Sequence, residues 1–418
     1  MTHYFPEKNS NRWLAKYPIV VIALCASFLF YKYILQIYPS IITEQLMREF
    51  KLNGAGLGNL AATFYYSYMV AQLFVGVILD KYSTRWLTSM AIFSCALGVF
   101  LFSQAQVLLT AELSRALMGV GVAFATVAYM KLAAAWFPPR QYALVGGLLA
   151  TAAMAGAVFG QAPLAFAVNA LGWRYCLYLV GLVGFVIALL FLLIVRDAPQ
   201  SSLQKSTHPF SLKDLLQVLS NKQNWLLTLY SGLAFSPIAI FGGLWGNPFM
   251  QQAYHLTKTA AASMISLVFI GLGLGSPLLG MLSDRLGNRL SVMFYSTCVA
   301  AIAIILVLYC PGLPTGFAGI LLFVFGFSLG SFMLAFAIGK ELNSAALTAS
   351  VIAMINTSDA VLDAITEPGI GKLLDVNWDG KIVDGVHYFS LHSYHVALGV
   401  LPLYLIVGAV LLLWVRKN

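Results

Sequence analysis

One short loop sequence occurs twice in this chain, about half a chain length apart. The two copies read Gly76-Val-Ile-Leu-Asp80-Lys81-Tyr-Ser-Thr-Arg85 and Gly280-Met-Leu-Ser-Asp284-Arg285-Leu-Gly-Asn-Arg289. Each copy joins two long apolar runs. A loop repeated in this way is typical of a duplicated bundle of membrane helices. The repeat therefore predicts two structurally related halves.

The composition excludes a soluble fold. Hydrophobic residues make up 60% of the 418 residues and charged residues only 9%, which is too little polar surface for a chain in water. Backbone groups inside a bilayer need internal partners, so the spans are either helices or strands of a closed barrel. The apolar runs are too long and unbroken for barrel strands, which alternate at every second residue. We therefore predict an all-α integral membrane protein.

The apolar runs predict twelve transmembrane helices in two six-helix halves. They lie at roughly 17–40, 55–79, 87–105, 108–135, 141–168, 172–195, 224–250, 259–282, 290–309, 314–339, 346–374 and 389–415. The most polar stretch separates the sixth run from the seventh. We therefore divide the chain into an N-terminal bundle (1–195), an interdomain loop (196–223) and a C-terminal bundle (224–418). Within the loop, the apolar spacing after Ser211 predicts an amphipathic helix at the membrane surface.

The positions of the basic residues predict the orientation in the membrane. Most Lys and Arg residues outside the spans fall on the side that carries both termini and both repeated loops. The positive-inside rule places that side in the cytoplasm. The first apolar run is too long for a signal-peptide core, so we expect it to remain as the first helix. A multi-pass protein of the plasma membrane, the inner membrane of a bacterium, is the predicted location.

The repeated loops resemble the signature loops of the major facilitator superfamily of transporters. Arg115-Ala-Leu-Met-Gly119 in the fourth span and Gly172-Trp173-Arg174 before the sixth are similar to motifs of that superfamily. The fifth span, with Ala162 before Pro163, only partly resembles the pattern of drug antiporters, which argues against multidrug efflux. The resemblance is to bacterial uptake members. It implies a twelve-helix secondary transporter that works by alternating access between two bundles.

The resemblance also implies a gating role for the repeated loops. A glycine lets two helices approach closely, and the acidic and basic groups are able to pair across a helix seam at the cytoplasmic surface. The plainer interpretation is that the positive charges only fix topology. The gating residues predicted in this way are Gly76, Asp80, Lys81, Arg85, Gly280, Asp284, Arg285 and Arg289.

The N-terminal half contributes three basic side chains inside its spans, Lys32, Arg115 and Lys131. A charge within a span is costly and is therefore a functional hypothesis by default. Lys32, with Tyr31 beside it and Gln36 one turn on, forms a polar patch suited to a carboxylate; permanent pairing with a carboxylate of the other half is the alternative. Arg115 is predicted either to contact the substrate or to act as a structural bridge. Lys131 is predicted to snorkel to the cytoplasmic surface.

The C-terminal half contributes three acidic side chains inside one span, the eleventh. Asp359, Asp363 and Glu367 follow one another at intervals of four residues, so they share one region of the eleventh helix. Three ionised carboxylates in a low dielectric repel one another, so we expect at least one to hold a proton. Proton coupling is the functional interpretation, and static pairing or a water-filled outer vestibule is the alternative. Asn356, one turn earlier, is predicted to add a hydrogen bond.

Two further spans carry polar groups. Pro237 and the pair Gly242-Gly243 predict a kinked outer half of the seventh helix, in which Asn247 serves as a gate or substrate contact; Pro and Gly are also common in ordinary membrane helices. Tyr65 in the second helix is predicted to face the cavity, and an aromatic belt at the membrane surface is the alternative.

Several other classes of site are excluded or disfavoured. Asp375-Val-Asn-Trp-Asp379-Gly matches the start of a calcium loop, but Val386 stands where the last acidic ligand is required, so we predict a polar turn. The five cysteines show no ligand spacing. The chain has no phosphate-binding loop and no nucleophile with its base, so we expect no enzyme activity, no cofactor and no metal.

The sequence thus predicts a monomeric, proton-coupled symporter of a small carboxylate-bearing solute. Amino acids, short peptides, organic acids and siderophores fit this description. The expected partners are that solute, protons and the lipid bilayer, with no nucleic acid. Two alternatives remain: a proton-driven exporter of a small amphiphile, and a receptor or sensor that does not transport.

Overall fold

The computed structural model describes residues 12–138, 141–197, 212–310, 312–344 and 347–415. The described residues are almost all helical. The helices of the N-terminal half are α1 (Arg12–Ile37), α2 (Thr43–Phe50), α3 (Gly54–Lys81), α4 (Thr84–Gln104), α5 (Leu108–Trp136), α6 (Tyr142–Phe159), α7 (Ala162–Leu171) and α8 (Trp173–Ile194), with a 3₁₀ turn at Tyr38–Ile41 after α1.

The C-terminal half repeats this plan after a short surface helix, α9 (Leu212–Ser220). Its helices are α10 (Lys222–Ile240), α11 (Gly246–Tyr254), α12 (Lys258–Leu286), α13 (Arg289–Tyr309), α14 (Thr315–Leu329), α15 (Leu334–Glu341), α16 (Thr348–Val376), α17 (Leu391–Leu398) and α18 (Val400–Leu412). A π-helical turn, Phe241–Trp245, joins α10 to α11, and a 3₁₀ turn, Gly330–Met333, joins α14 to α15.

The number of spans agrees with the sequence prediction. Among the described residues, eleven helical segments are long and apolar enough to cross a membrane. The remaining predicted span, 346–374, is α16, which has 29 residues and is long enough to cross. It differs from the others because it carries the three acidic groups predicted for proton coupling. These acidic side chains therefore distinguish α16 from the other membrane-spanning helices.

We call the side of the molecule that carries the two repeated loops, residues 81–84 and 286–289, the repeat side, and the other side the opposite side. A small hairpin lies on the opposite side between α16 and α17. Its strands, β1 (Ile382–Val383) and β2 (Val386–His387), pair antiparallel with Val383 facing Val386. Asp384 and Gly385 both have positive φ, as a two-residue hairpin turn requires. This hairpin occupies the polar turn that the sequence predicted there.

Glycines bring α12 and α14 into main-chain contact. Gly271 and Gly275 lie one turn apart on α12, and Gly326 and Gly330 bracket the end of α14. A Cβ atom added at Gly326 would overlap the carbonyl oxygen of Val268, and the other three glycines are equally crowded. Because lipid tails are as apolar as the helices, this close packing replaces the hydrophobic effect as the force that joins them.

The two halves meet along α3 and α16, and along α6, α7 and α12. On the opposite side, α3 and α16 also touch through glycines: a Cβ at Gly54 would lie 2.6 Å from the carbonyl oxygen of Gly371. At the opposite-side end of α3, Leu57, Leu60 and Phe64 are buried, whereas at its repeat-side end Leu73, Phe74 and Val77 are more than half exposed. The two halves are therefore closed together on the opposite side and open on the repeat side.

We expect Gly326→Ala to lower the stability of the folded chain by about 2 kcal/mol, because the new methyl group must push α14 away from α12. Gly316→Ala in the same helix is the control, since a Cβ there meets nothing within 4 Å. Thermal unfolding of the purified protein in detergent measures both. Equal melting temperatures for the two variants would contradict the packing role of Gly326.

Candidate functional site

Lys32 is a buried cation without an acidic partner. Its residue surface is 8% exposed, and its Nζ lies 5.5 Å from the ring centre of Tyr33 and 5.1 Å from that of Tyr68. Within the described ranges, no carboxylate oxygen lies within 4 Å of this Nζ, so the permanent ion pair considered as an alternative is not formed in this conformation. Aromatic faces compensate a cation only in part. Lys32 therefore remains able to bind an anion.

Tyr31, which was predicted to contact a substrate, does not line the cavity in this conformation. The residue is 1% exposed, and its hydroxyl packs against Gly184 of α8, inside the N-terminal bundle. Successive residues of a helix point about 100° apart, so Tyr31 turns into its own bundle while Tyr33, two positions on, lines the central cavity.

The central cavity lies between the two halves and has a volume of about 10 Å³ in this conformation, which is room for one water molecule. Tyr33 and Gln36 line it from α1, and Phe235 and Phe269 line it from the other half. Gln36 also donates a hydrogen bond from Nε2 to the hydroxyl of Tyr65, at 3.2 Å. Gln36 therefore lines the cavity, and the hydroxyl of Tyr65 fixes the orientation of its amide by accepting this hydrogen bond.

The three carboxyl groups of α16 are buried without cations. Asp359 is 9% exposed, Asp363 1% and Glu367 2%. The hydroxyl of Ser231 donates to Oδ1 of Asp359 at 3.0 Å, whereas Oδ1 of Asp363 and Oε2 of Glu367 have no hydrogen-bond partner. In the described part of the chain, no Lys or Arg nitrogen lies within 4 Å of them. A buried carboxylate needs a proton or a cation, so these groups are suited to take up either.

Arg115 is held by main-chain oxygens. It is 1% exposed, and its two terminal nitrogens donate to the carbonyls of Leu35 (2.8 Å) and Ala61 (2.9 Å). The guanidinium also lies over the rings of Tyr38 and Phe64, at 5.2 and 4.8 Å from their centres. This geometry fits the structural bridge between α1, α3 and α5 and leaves little of Arg115 for a substrate.

A buried amide cluster closes the cavity on the opposite side. Asn247 Nδ2 donates to Gln161 Oε1 (2.8 Å) and to the hydroxyl of Ser40 (3.1 Å). Gln161 Nε2 donates to the carbonyl of Gly242 (2.6 Å), which belongs to the π-helical turn. Ser40 and Gln161 belong to one half, Asn247 and Gly242 to the other. Asn247 is therefore placed as a contact between the halves.

Gln161 is a functional candidate that the sequence prediction missed. It is fully buried and lies at the break between α6 and α7, two residues before Pro163. An amide this close to a proline in an apolar run was the available signal. Three predicted residues have less defined surroundings: Lys81 and Arg285 are exposed, and Asn356 is half-buried.

The close helix approach expected at Gly76 and Gly280 is absent from this conformation. A Cβ added at either position would meet no protein atom within 4 Å. The reason is that the repeat side is open, so the ends of α3 and α12 face free space. The prediction of close contact at these glycines is therefore wrong for the open state.

The charges of the repeated loops pair within each half. Lys131 Nζ lies 3.5 Å from Asp80 and also donates to the carbonyl of Leu79. In the second copy, Arg289 lies 3.3 Å from Asp284 and 3.0 Å from Glu341. Each of these pairs joins elements of a single half, so the loops stabilise the separate bundles in the open state.

A side chain caps the helix that follows each copy of the loop. Ser83 Oγ accepts from the Trp86 N–H (3.3 Å), and Asn288 Oδ1 accepts from the Ser291 N–H (3.1 Å). In the first copy, the carboxylate of Asp197 also accepts from the hydroxyl of Ser83 and from the backbone N–H of Arg85 (3.0 Å). Ser83 therefore also anchors the start of the interdomain segment. Arg85 Nε adds a hydrogen bond to the carbonyl of Leu192 (2.6 Å).

Two six-helix halves around a central cavity, open on one side only, define a multi-pass membrane protein of the alternating-access type. The chain belongs to the Major Facilitator Superfamily, whose family model matches residues 20–375. A bacterial homologue of the human lysosomal transporter Spinster, solved in an inward-facing and occupied conformation, has the same fold. The TM-score is 0.81 at 13% identity, over 97% of each chain.

Relatives of known sequence include transporters and a sensor. The chain is 30% identical to the uncharacterized transporter YybO of Bacillus subtilis over 41% of this chain and 39% of that protein. It is 26% identical to the membrane sensor protein UhpC of Salmonella typhimurium over 57% and 58% of the two chains. It is 24% identical to the hexuronate transporter of Bacillus subtilis over 73% of each. The matches thus span less than two thirds of the first two relatives. None of these three relatives is an enzyme, in agreement with the sequence prediction.

We expect Arg115→Lys to destabilise the fold by about 2 kcal/mol, because a lysine cannot donate to two carbonyls in fixed directions at once. Arg48→Lys is the matched control, since Arg48 is exposed and its nearest acidic oxygen, on Asp384, is 3.9 Å away. Thermal unfolding compares the two variants. If Arg115→Lys melts with the parent protein, the bridging role is wrong.

Proposed function

We propose that this chain is a secondary active transporter that carries a small carboxylate-bearing solute together with a proton. The observation that carries the proposal is the buried, unpaired cation at Lys32. Tyr33, next to it, lines the cavity and lies within electrostatic range of Asp359 and Asp363 of the other half. The cation of one half and the carboxyl groups of the other thus both lie near this cavity-lining residue.

Lys32 supplies the reason for an anionic substrate. An unpaired lysine at the centre of a membrane costs roughly 3 kcal/mol. A carboxylate that enters the cavity recovers part of this cost by pairing with Nζ. The amide of Gln36 and the hydroxyl of Tyr33 are then available for hydroxyl groups of the same solute.

The relatives favour an organic acid of the sugar-acid type. One relative that matches over 73% of both chains is named a hexuronate transporter. A hexuronate has one carboxylate and several hydroxyls, which matches the donors of the cavity.

The proton has its acceptors on α16. We propose that the repeat side faces the cytoplasm, so the present conformation is the one that releases solute inward. Asp359 or Asp363 takes up a proton when the opposite side is open and releases it to the cytoplasm. Glu367, nearest the closed seam, is the first of the three that incoming water reaches.

Replacing Lys32 tests the substrate site. In proteoliposomes we expect Lys32→Ala to reduce uptake of D-glucuronate at least tenfold, because the site loses its cation, and Lys32→Arg to retain part of the uptake. Lys372→Ala is the control, since Lys372 is exposed on α16. Unchanged uptake in Lys32→Ala would remove this residue from the site.

A pH gradient tests the coupling. For symport, liposomes with an alkaline interior accumulate solute above the outside concentration, and a protonophore abolishes the accumulation. Asp363→Asn is expected to leave exchange of solute intact but to remove accumulation, because the side chain no longer binds and releases a proton. Accumulation driven by an acidic interior would indicate the exporter instead, and indifference to pH would refute proton coupling.

A sensor is the second candidate, because the chain is 26% identical to a membrane sensor protein over more than half of both chains. The two functions differ in turnover. A sensor binds the solute, which raises the melting temperature of the protein, but it moves none across the liposome. Binding of D-glucuronate without uptake by the purified chain would favour the sensor over the transporter.

A further inference from the structure

Asp375, near the end of α16, caps a helix of the other half. Its two carboxylate oxygens accept hydrogen bonds from the backbone N–H groups of Gly54 (2.7 Å) and Ala55 (2.8 Å). These are the first two residues of α3. The side chain of Asp375 is 18% exposed, so water competes only weakly for these bonds.

The N-terminus of α3 needs such an acceptor. The first N–H groups of a helix have no partner within it and carry partial positive charge. Asn53, the residue before α3, satisfies only the N–H of Gly56, at 2.8 Å. Asp375 supplies a charged acceptor for the two that remain, and charged acceptors make the stronger hydrogen bonds.

The same seam brings the two backbones into contact. Cβ atoms added at Gly58 and Gly371 would overlap the carbonyl oxygens of Glu367 and Gly54. Any rotation that opens the opposite side therefore separates Asp375 from the N-terminus of α3. The cap exists only while this side is closed.

Other polar contacts between the halves on this side are weaker or different in kind. Lys258 and Glu44 pair at 2.6 Å but are 42% and 53% exposed, so solvent screens them. Arg48 and Asp384 are 3.9 Å apart and more exposed still. The amide cluster around Asn247 is uncharged. Asp375 therefore makes the most shielded charged contact described between the halves.

We propose that Asp375 is the latch of the opposite-side gate and sets the balance between the closed and open states of that side. The capped carboxylate stabilises the closed state, and its release accompanies entry of water to Glu367. The proposal rests on the proposed function only in that transport requires this gate to open. Asp375 acts by positioning α3 against α16 and is not a substrate contact.

A distance measurement between the halves tests the latch. Spin labels are placed on the native Cys310, which is exposed after α13, and on Val107→Cys, whose parent residue is 59% exposed before α5. Cys298 is replaced by alanine, and the remaining cysteines are buried. Both labels lie on the opposite side, one in each half. Double electron–electron resonance of the full chain in nanodiscs then reports how far this side has opened.

We expect Asp375→Ala to raise the ratio of the long-distance to the short-distance population by about tenfold, because a charge-assisted contact of the closed state is lost. Asp375→Asn should give an intermediate ratio, since an amide accepts one hydrogen bond without the charge. Asp379→Ala is the control. That side chain is exposed in the turn just after α16 and accepts from the Lys381 N–H only, among the bonds described.

The outcomes separate the latch from general stability and from the proposed transport. Parent-like distances in both Asp375 variants would overturn the latch, even if their melting temperatures fall. Shifted distances in Asp375→Ala with unchanged distances in Asp379→Ala would support it. The distances are measured without substrate or pH gradient. A failure of D-glucuronate uptake would therefore refute the transport proposal and leave the latch standing.

Discussion

The contact between α3 and α16, backbone against backbone, is the constraint on which the rest of this structure depends. It closes one end of the cavity and keeps water from the carboxyl groups of α16. It is possible only because Gly54, Gly58 and Gly371 carry no side chain at the points where the helices touch. The amide cluster of Asn247 and Gln161 adds a second closure behind the first. With the opposite side sealed in this way, the cavity has access to water only from the repeat side.

The closed contact between α3 and α16 is important because it shields buried charged groups from water. Lys32 lies in one half and the three carboxyl groups in the other, and in the described residues they do not pair. Each half therefore has buried ionisable groups within the membrane that lack a partner of opposite charge. Arg115, the other buried cation of the N-terminal half, differs because its two terminal nitrogens already donate to the carbonyls of Leu35 and Ala61. The distinction between a cation that holds the fold and one that is available for binding rests on these neighbours.

The sequence predicted the positions of the helices well, but it predicted less well which way individual side chains point from them. Apolar run length and the repeated loop were enough for the helices, the surface helix α9 and membership of the superfamily. The facing direction of Tyr31 was not predictable, because a one-residue difference turns a helical side chain by about 100°. Contacts such as Gln161 with Gly242 depend on how two distant halves dock. Asp375 was recognised only as part of a polar turn, since its partners lie more than three hundred residues away.

The acidic side chains of α16 do not all point in the same direction around the helix axis. Residues four apart on a helix drift by about 40° around its axis, so the series from Asp359 to Asp375 spirals instead of running straight. At its inner end Asp359 turns towards Ser231 of its own half, and at its outer end Asp375 reaches α3 of the other. Rotation of this helix about its axis would therefore move Asp359 and Asp375 at the same time. One side chain would move towards the contact between α3 and α16 while the other moved away from it. Rotation of α16 about its axis would thus couple the Asp359 contact inside the C-terminal half to the Asp375 contact at the N-terminus of α3.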